Sequence, residues 1–316
     1  MPPLPIGAII RNGPFALSGI NLEDLRTNFE LGESDPGKAA LIERIAERNG
    51  IDPSAVRLAD SALNLVNALL GKAGSGNIGM YAPEFSFFRK MCSELGLDTV
   101  RLGDGSQNSV RENSISAIVV SNPSNPGGGL RNPGKIIEQG NNYGALLIVD
   151  EAYMEFAGNK ASLIKHAAEN PGIVVVRTFS KFYGIDEPGK VAYAVSKNGE
   201  LDGLNITQPG QAAMDRAARK LGGKNEDAAR YDVAVRREAL TDILANGLGC
   251  EVKPSVTNFV MARMPGGNLY TAMRGMNVRV RDLNNEPGLE GQGFCRVAVG
   301  SYSQMSQLAE RVGLCK

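Results

Sequence analysis

The sequence holds one histidine, no tryptophan and four cysteines in 316 residues. A single histidine, His166, nearly excludes a Ser-His-Asp triad or a multi-histidine metal site, so if there is chemistry here another group must handle protons. His166 stands in Leu-Ile-Lys-His-Ala-Ala-Glu, an expected helix, and reads as a surface residue. Cys92, Cys250, Cys295 and Cys315 are far apart, and none forms a Cys-x-x-Cys pair. That speaks against a zinc site or a disulfide frame and for reduced thiols in a cytoplasmic protein. Neither sign of charge is in excess, with 34 Lys plus Arg against 34 Asp plus Glu, so no global field favours nucleic acid or an acidic membrane surface. No apolar run approaches the roughly 20 residues that span a bilayer. The start, Met-Pro-Pro-Leu-Pro-Ile-Gly, lacks the basic opening and long apolar stretch of a signal peptide. Gly71-Lys72-Ala73-Gly74-Ser75-Gly76 lacks the order of a phosphate loop and precedes a strand, so it reads as a plain turn.

What is present is an ordinary globular composition, 42% apolar and 22% charged, with length for one or two domains. Residues 1–34 have weak periodicity and read as an arm packing with the small domain described below. Asp35-Pro36 then opens a helix as N-cap and N1, with Leu41, Ile42, Ile45 and Ala46 on one face and Gly50 closing it. A second helix begins after Asp60 or Ser61. Short apolar strands at 78–82, 99–102, 117–120, 145–149, 173–176 and 191–195 follow, with helices over 87–95, 132–142 and 162–169 among them. Near-continuous apolar strands separated by helices predict an α/β fold, a mostly parallel sheet with helices on both faces. From 210 to 245 the pattern is helical and charged. Strands at 258–262, 278–281 and 294–299 alternate with helices and predict a small α+β domain. The expected division is an arm at 1–34, a large domain at 35–215, and linking helices with the small domain at 216–316.

In open parallel sheets ligands bind outside the carboxyl ends of the strands. Three groups fall there. Ser121-Asn122-Pro123-Ser124-Asn125-Pro126-Gly127 follows one strand, and is either a ligand loop or only a tight turn. Asp150-Glu151-Ala152-Tyr153 ends the next. An Asp at the rim of an apolar strand needs a cationic partner, unless it only caps the following helix. Thr178-Phe179-Ser180-Lys181 ends a third. A lysine desolvated at a strand mouth becomes nucleophilic toward a carbonyl, whereas a lysine that snorkels outward stays inert. The gaps, 25 residues from Asn125 to Asp150 and 31 from Asp150 to Lys181, each match about one strand-helix unit and put all three on one rim.

With these motifs, and with Thr257-Asn258-Phe259-Val260 and Cys295-Arg296-Val297-Ala298-Val299-Gly300, the chain from about residue 35 onward resembles the fold-type I pyridoxal-phosphate-dependent aminotransferases, in the histidinol-phosphate aminotransferase-like branch. The resemblance implies pyridoxal 5'-phosphate as cofactor, an imine with Lys181, and Asp150 on the ring nitrogen. It implies Asn125 and Tyr153 on the ring's 3' oxygen and Phe85 stacked on the ring, the alternative for Phe85 being a core aromatic. Ser61, Ala62 and Ser180 would hold the phosphate, Arg296 the substrate carboxylate, and Arg281 a second anionic group. It further implies a cytoplasmic homodimer, with a small amino acid or amino-acid-derived amine and a 2-oxo acid as substrates.

The chain departs from the family pattern in places. After Lys181 the family usually shows an arginine that binds the phosphate; here Asp186 and Glu187 intervene and Lys190 stands at that position, giving a point charge instead of a fork. The glycine that usually opens the phosphate-binding helix is replaced in Leu58-Ala59-Asp60-Ser61-Ala62. Amino transfer is the leading expectation. A decarboxylase, lyase or cyclase with the same cofactor is the alternative, since the branch includes a phosphothreonine decarboxylase. A cofactor-binding domain without catalysis is opposed by the full set of Lys181, Asp150, Asn125 and Tyr153. A nicotinamide-linked oxidoreductase is opposed by the missing Gly-x-Gly-x-x-Gly.

Overall fold

The computed structural model describes residues 37–314, apart from 75, 103–114, 160, 187–188, 198 and 224. The expected arm, the Asp35-Pro36 helix opening, Glu187 and Cys315 lie outside the described residues.

Helix α1 (Lys38–Asn49) buries Leu41, Ile45 and Ala46 and ends on Gly50, whose φ of 61° lets its N–H reach back to Ala46 and Glu47. Strand β1 (Val56–Ala59) leads to helix α2 (Ala62–Lys72), whose N-cap Ser61 accepts from Asn64 N–H. Then come β2 (Asn77–Met80), α3 (Ser86–Glu94), β3 (Thr99–Arg101), β4 (Ile115–Ser121), α4 (Pro133–Tyr143), β5 (Leu146–Asp150), α5 (Met154–Ala157), α6 (Ile164–Glu169), β6 (Ile173–Thr178) and β7 (Ala192–Val195). The seven strands lie in the order β1-β7-β6-β5-β4-β2-β3. From β6 to β3 all neighbours are parallel, whereas β7 runs antiparallel to both β6 and β1. The sequence reading contained no strand at 56–59. That segment is short, with Arg57 exposed at its middle, and it reaches the sheet only by closing against β7.

Both faces of the sheet are covered, which is why its strands are apolar without alternation. Val120, Leu147, Val149, Val175 and Val195 face one way, into a core shared with α1, α4 and α7 (Gln211–Lys220). Val119, Ile148, Val174, Val176 and Ala194 face the other, against Leu65, Val66, Leu69, Phe88 and Cys92 of α2 and α3. His166 is exposed on α6, as expected.

Helix α8 (Glu226–Asp242) runs on through a π-helical turn (Ile243–Gly247) into a second sheet. Its strands are β8 (Glu251–Lys253), β9 (Phe259–Arg263), β10 (Arg281–Asp282) and β11 (Phe294–Ala298), antiparallel in the order β10-β11-β9-β8. Helices α9 (Leu269–Gly275) and α10 (Tyr302–Arg311) complete it, the latter opened by a capping box between Ser301 and Gln304. The strand expected over 278–281 shrinks to Arg281–Asp282, because Val278 and Val280 pack on the core of this sheet without pairing. The short β8, with exposed ends, was not anticipated.

A buried ion cluster underlies the large sheet. Arg177 on β6 donates Nε and Nη2 to Glu151 Oε2 at 3.0 and 2.8 Å, Nη1 to Glu155 at 3.3 Å, and Nη2 also to Asn159 and Ser162. Glu151 Oε1 accepts from Leu163 N–H at 2.7 Å. Removing the arginine strands two buried carboxylates. Arg177→Ala is expected to cost about 3–5 kcal/mol, read as a lower urea midpoint at unchanged slope; a midpoint equal to wild type would refute the cluster's importance.

Candidate active site

The register fixes where the strand ends lie. Ser121 pairs with Asp150, Asp150 with Val176, Thr178 with Ala192, and Ala192 with Ala59. The segments that follow β1, β4, β5 and β6, and the one that precedes β7, therefore leave from one rim, at strand spacings of about 5 Å. That rim carries Ser61 and Ala62, Asn125, Asp150 and Tyr153, Ser180 and Lys181, and Lys190. Phe85 reaches it from the end of β2, as the residue before α3, where it stacks on Phe87 and meets Phe88 edge-on.

Asp150 is buried, and its Oδ1 accepts from Ala152 N–H at 3.0 Å. Among the described residues no ion pair reaches it. Burial pushes its carboxyl up to about 6, with that hydrogen bond and the charge of Lys181 pulling the other way. The two readings of Asp150 thus meet in part: it makes a local bond, and its charge still lacks a direct counter-ion. Lys181 Nζ lies 6.0 Å from the Tyr153 ring centroid. Lys181 is exposed, so the described residues do not desolvate it as the strand-mouth argument led us to expect.

The second sheet supplies two guanidiniums. Arg296 donates Nη1 to Asn125 Oδ1 at 2.8 Å and lies over Phe259, 5.0 Å from its centroid. Phe259 meets Tyr153 edge-on at 5.1 Å. Arg281 donates Nη2 to Ser86 Oγ and to Glu286 Oε1, both at 2.7 Å. Burial raises the Tyr153 phenol, and the charges of Arg296 and Arg281 oppose that rise. Tyr153, Arg296 and Arg281 therefore share one cleft, with Asn125 buried beneath Arg296.

On the phosphate side of the expected site the groups are less concentrated. Ser180 Oγ lies 3.2 Å from Thr178 Oγ1, and Lys190 Nζ is 3.7 Å from Asp186 Oδ1. The inserted acid thus has a partner in the lysine that replaces the arginine. Asp60 N–H donates to Thr207 O at 2.9 Å, while its Oδ1 is buried without a hydrogen bond.

Sequence reasoning missed Glu84 and Glu286. Glu84, fully buried behind Phe85, accepts from Phe85 N–H at 3.0 Å, from Ser121 N–H at 3.2 Å and from the Ser121 hydroxyl. Arg131 stands 3.6 Å away and over Tyr81. Burial raises Glu84 to about 7 against the pull of Arg131. Its position between a proline and an aromatic gave a signal for a turn, none for a buried acid. Among the described residues no group of His, Cys, Asp and Glu could hold a metal ion, and no helix is long and apolar enough to cross a membrane.

A mostly parallel sheet whose rim offers a lysine, a buried acid without a counter-ion among the described residues, an asparagine and a tyrosine defines a fold-type I pyridoxal-phosphate-dependent enzyme. The residues fit that cofactor: a protonated pyridine nitrogen is the cation that Asp150 lacks. Comparison with known proteins makes the class specific. Residues 36–312 match the family "Aminotransferase class I and II", and the chain belongs to that family. A histidinol-phosphate aminotransferase of Synechococcus sp. is 27% identical over 298 residues, covering 88% of this chain and 82% of the relative. The structure of histidinol-phosphate aminotransferase from Sinorhizobium meliloti in complex with pyridoxal-5'-phosphate superposes with a TM-score of 0.72 at 19% identity, over 89% of this chain and 82% of the other. That of L-threonine-O-3-phosphate decarboxylase from Porphyromonas gingivalis gives 0.68 at 20%, over 87% and 88%. At such identities the two structures speak for the fold. The protein is a pyridoxal-phosphate-dependent transferase of the aminotransferase type.

The acid's shift makes a pH prediction. A carboxyl raised from 3.8 to about 6 on folding contributes stability that is complete below 3.8 and lost as pH rises through about 6, roughly 3 kcal/mol in all. A bound cation cancels that loss. The stabilisation of the protein by its cofactor should therefore grow between pH 4 and 7, measured as the difference in Tm with and without cofactor. Asp150→Asn should flatten that growth, and an unchanged slope would contradict it.

Proposed function

We propose that the chain moves an amino group between a small amino acid, or an amino-acid-derived amine, and a 2-oxo acid, and that the rim residues divide the work as follows. Lys181 carries the cofactor through its aldehyde and, once the substrate amine has displaced it, moves the proton at the substrate Cα. Asp150 keeps the ring nitrogen protonated. Asn125 and Tyr153 hydrogen-bond the ring's 3' oxygen, and Phe85 covers the ring face. Ser61, the Ala62 N–H, Ser180 and Lys190 hold the phosphate, the helix start adding its exposed N–H groups. Arg296 grips the substrate carboxylate. When bound, the cofactor supplies an electron sink for the charge left at Cα.

The single observation that carries this reading is the buried Asp150 carboxyl, which has no ion pair among the described residues and lies on the same rim as Lys181. We propose a large domain at 35–215 and a small one at 216–316, with 1–34 as an arm; two separate sheets with their own cores support the division between the two domains. We also propose that the enzyme works in the cytoplasm as a homodimer with small-molecule partners, without nucleic acid or membrane, in line with its even charge.

Absorbance of the purified protein is the direct test. Wild type should show the band of lysine-bound cofactor and lose it when an amino donor is added, with a 2-oxo acid restoring it. Lys181→Ala should abolish the borohydride-stable mass adduct and lower turnover by about four orders of magnitude or more. An adduct surviving in that variant would overturn the assignment. Release of CO2 without any acceptor would point to decarboxylation instead. Arg296→Ala should raise KM for carboxylate substrates about a hundredfold, the loss of a charge-assisted fork, and an unchanged KM would remove Arg296 from the site.

A further inference from the structure

Arg281 and Arg296 are direct cross-strand partners on β10 and β11. Among the described residues Arg296 keeps only a neutral hydrogen-bond partner, Asn125 Oδ1, in the cleft. Arg281 is already supplied with an anion, for Glu286 Oε1 sits 2.7 Å from its Nη2, and the Glu286 side chain is only 14% exposed. The same Nη2 crosses to Ser86 Oγ at 2.7 Å, next to Phe85.

Glu286 is held where it is. Its N–H donates to Leu283 O at 3.0 Å, and Leu289 N–H donates to its carbonyl at 2.9 Å. Leu283 and Leu289 are buried with Met261 and Phe294. Gly288, at φ +87°, lies so close to the β2–α3 loop that a Cβ there would be 3.1 Å from Ala82. The turn is thus clamped against the loop that leads to Phe85, which fixes the backbone from which Glu286 reaches Arg281. The charges of Arg281 and Glu286 act on Arg296 in opposite senses.

Two neighbouring guanidiniums at a cleft would ordinarily take a substrate with two anionic groups. Here one of them is satisfied by the protein through a charge-assisted hydrogen bond. A second substrate anion would have to displace Glu286 or approach it charge to charge. We propose that Glu286 is a specificity-determining residue that reserves Arg281, so that the site accepts substrates with one anionic group, the carboxylate on Arg296, and an uncharged remainder. This turns the sequence expectation for Arg281 around. It names the substrate class as monoanionic amino acids and monocarboxylic 2-oxo acids, and it rests on the reading that Arg296 binds the carboxylate.

The test uses the holoenzyme and two unreactive carboxylates, butyrate with one anion and glutarate with two, their dissociation constants measured by calorimetry. Wild type should bind glutarate no more tightly than butyrate, and should favour pyruvate over 2-oxoglutarate in kcat/KM. Glu286→Gln should raise the affinity ratio of glutarate to butyrate, and the kcat/KM ratio of 2-oxoglutarate to pyruvate, by about tenfold or more. Adding Arg281→Gln to that variant should remove the gain, an outcome that a merely structural role for Glu286 does not give. A wild type that already prefers glutarate, or a ratio that Glu286→Gln leaves unmoved, overturns the proposal. The functional reading fails separately: butyrate binding that Arg296→Gln does not weaken removes the carboxylate site itself, and shows in butyrate alone.

Discussion

Two acids stand side by side at the end of β5, and they are treated in opposite ways. Alternation along the chain sends Glu151 inward, where Arg177, Ser162 and the Leu163 N–H saturate it. Asp150 points into the rim, buried, with one backbone hydrogen bond and no ion pair among the described residues. The ordered neighbour fixes the backbone from which Asp150 projects. The other is left without a direct counter-ion among the described residues, a place that an external cation can fill. The placement of lysine, asparagine and tyrosine around it takes its meaning from that asymmetry.

The small sheet completes the cleft through contacts with the large one. Arg296 on Asn125 and Arg281 on Ser86 each cross from one sheet to the rim of the other. Val256 N–H donates to Gly128 O at 2.9 Å, next to the loop that carries Asn125. Gly128, at φ +78°, approaches Ser255 so closely that a Cβ would fall 2.3 Å from its hydroxyl oxygen. The two sheets are therefore held in register by polar contacts at the glycine-rich turn and by the clamped turn of Glu286.

The electrostatics of the cleft are graded. Toward the expected phosphate, positive charge is moderated: Lys190 is shared with Asp186, and Asp60 stands at the start of α2. Toward the substrate, Arg281 is neutralised by Glu286 and Arg296 is not. A chain with 34 charges of each sign shows locally what its total conceals, namely Lys190 and Arg281 each paired with an acid, and Arg296 bonded to a neutral amide where we propose one carboxylate is held.

The residues of β4, β5 and β6 determined the parallel core by themselves, because runs of four or five consecutive apolar residues separated by helices fit strands covered on both faces. Their spacing also determined that Asn125, Asp150 and Lys181 share a rim, since a strand and its helix return the chain to the same edge. Local periodicity had no hold on β1 or β8, which are short, partly exposed and defined only by the strands they close against. Nor could it see that Lys181 is exposed, that Glu84 is buried, or that Arg281 meets Ser86 across 195 residues. Those facts are settled by which faces of two sheets come together. Burial, and with it the strength of every charge in the cleft, is a property of the assembled surfaces, and no stretch of chain carries it alone.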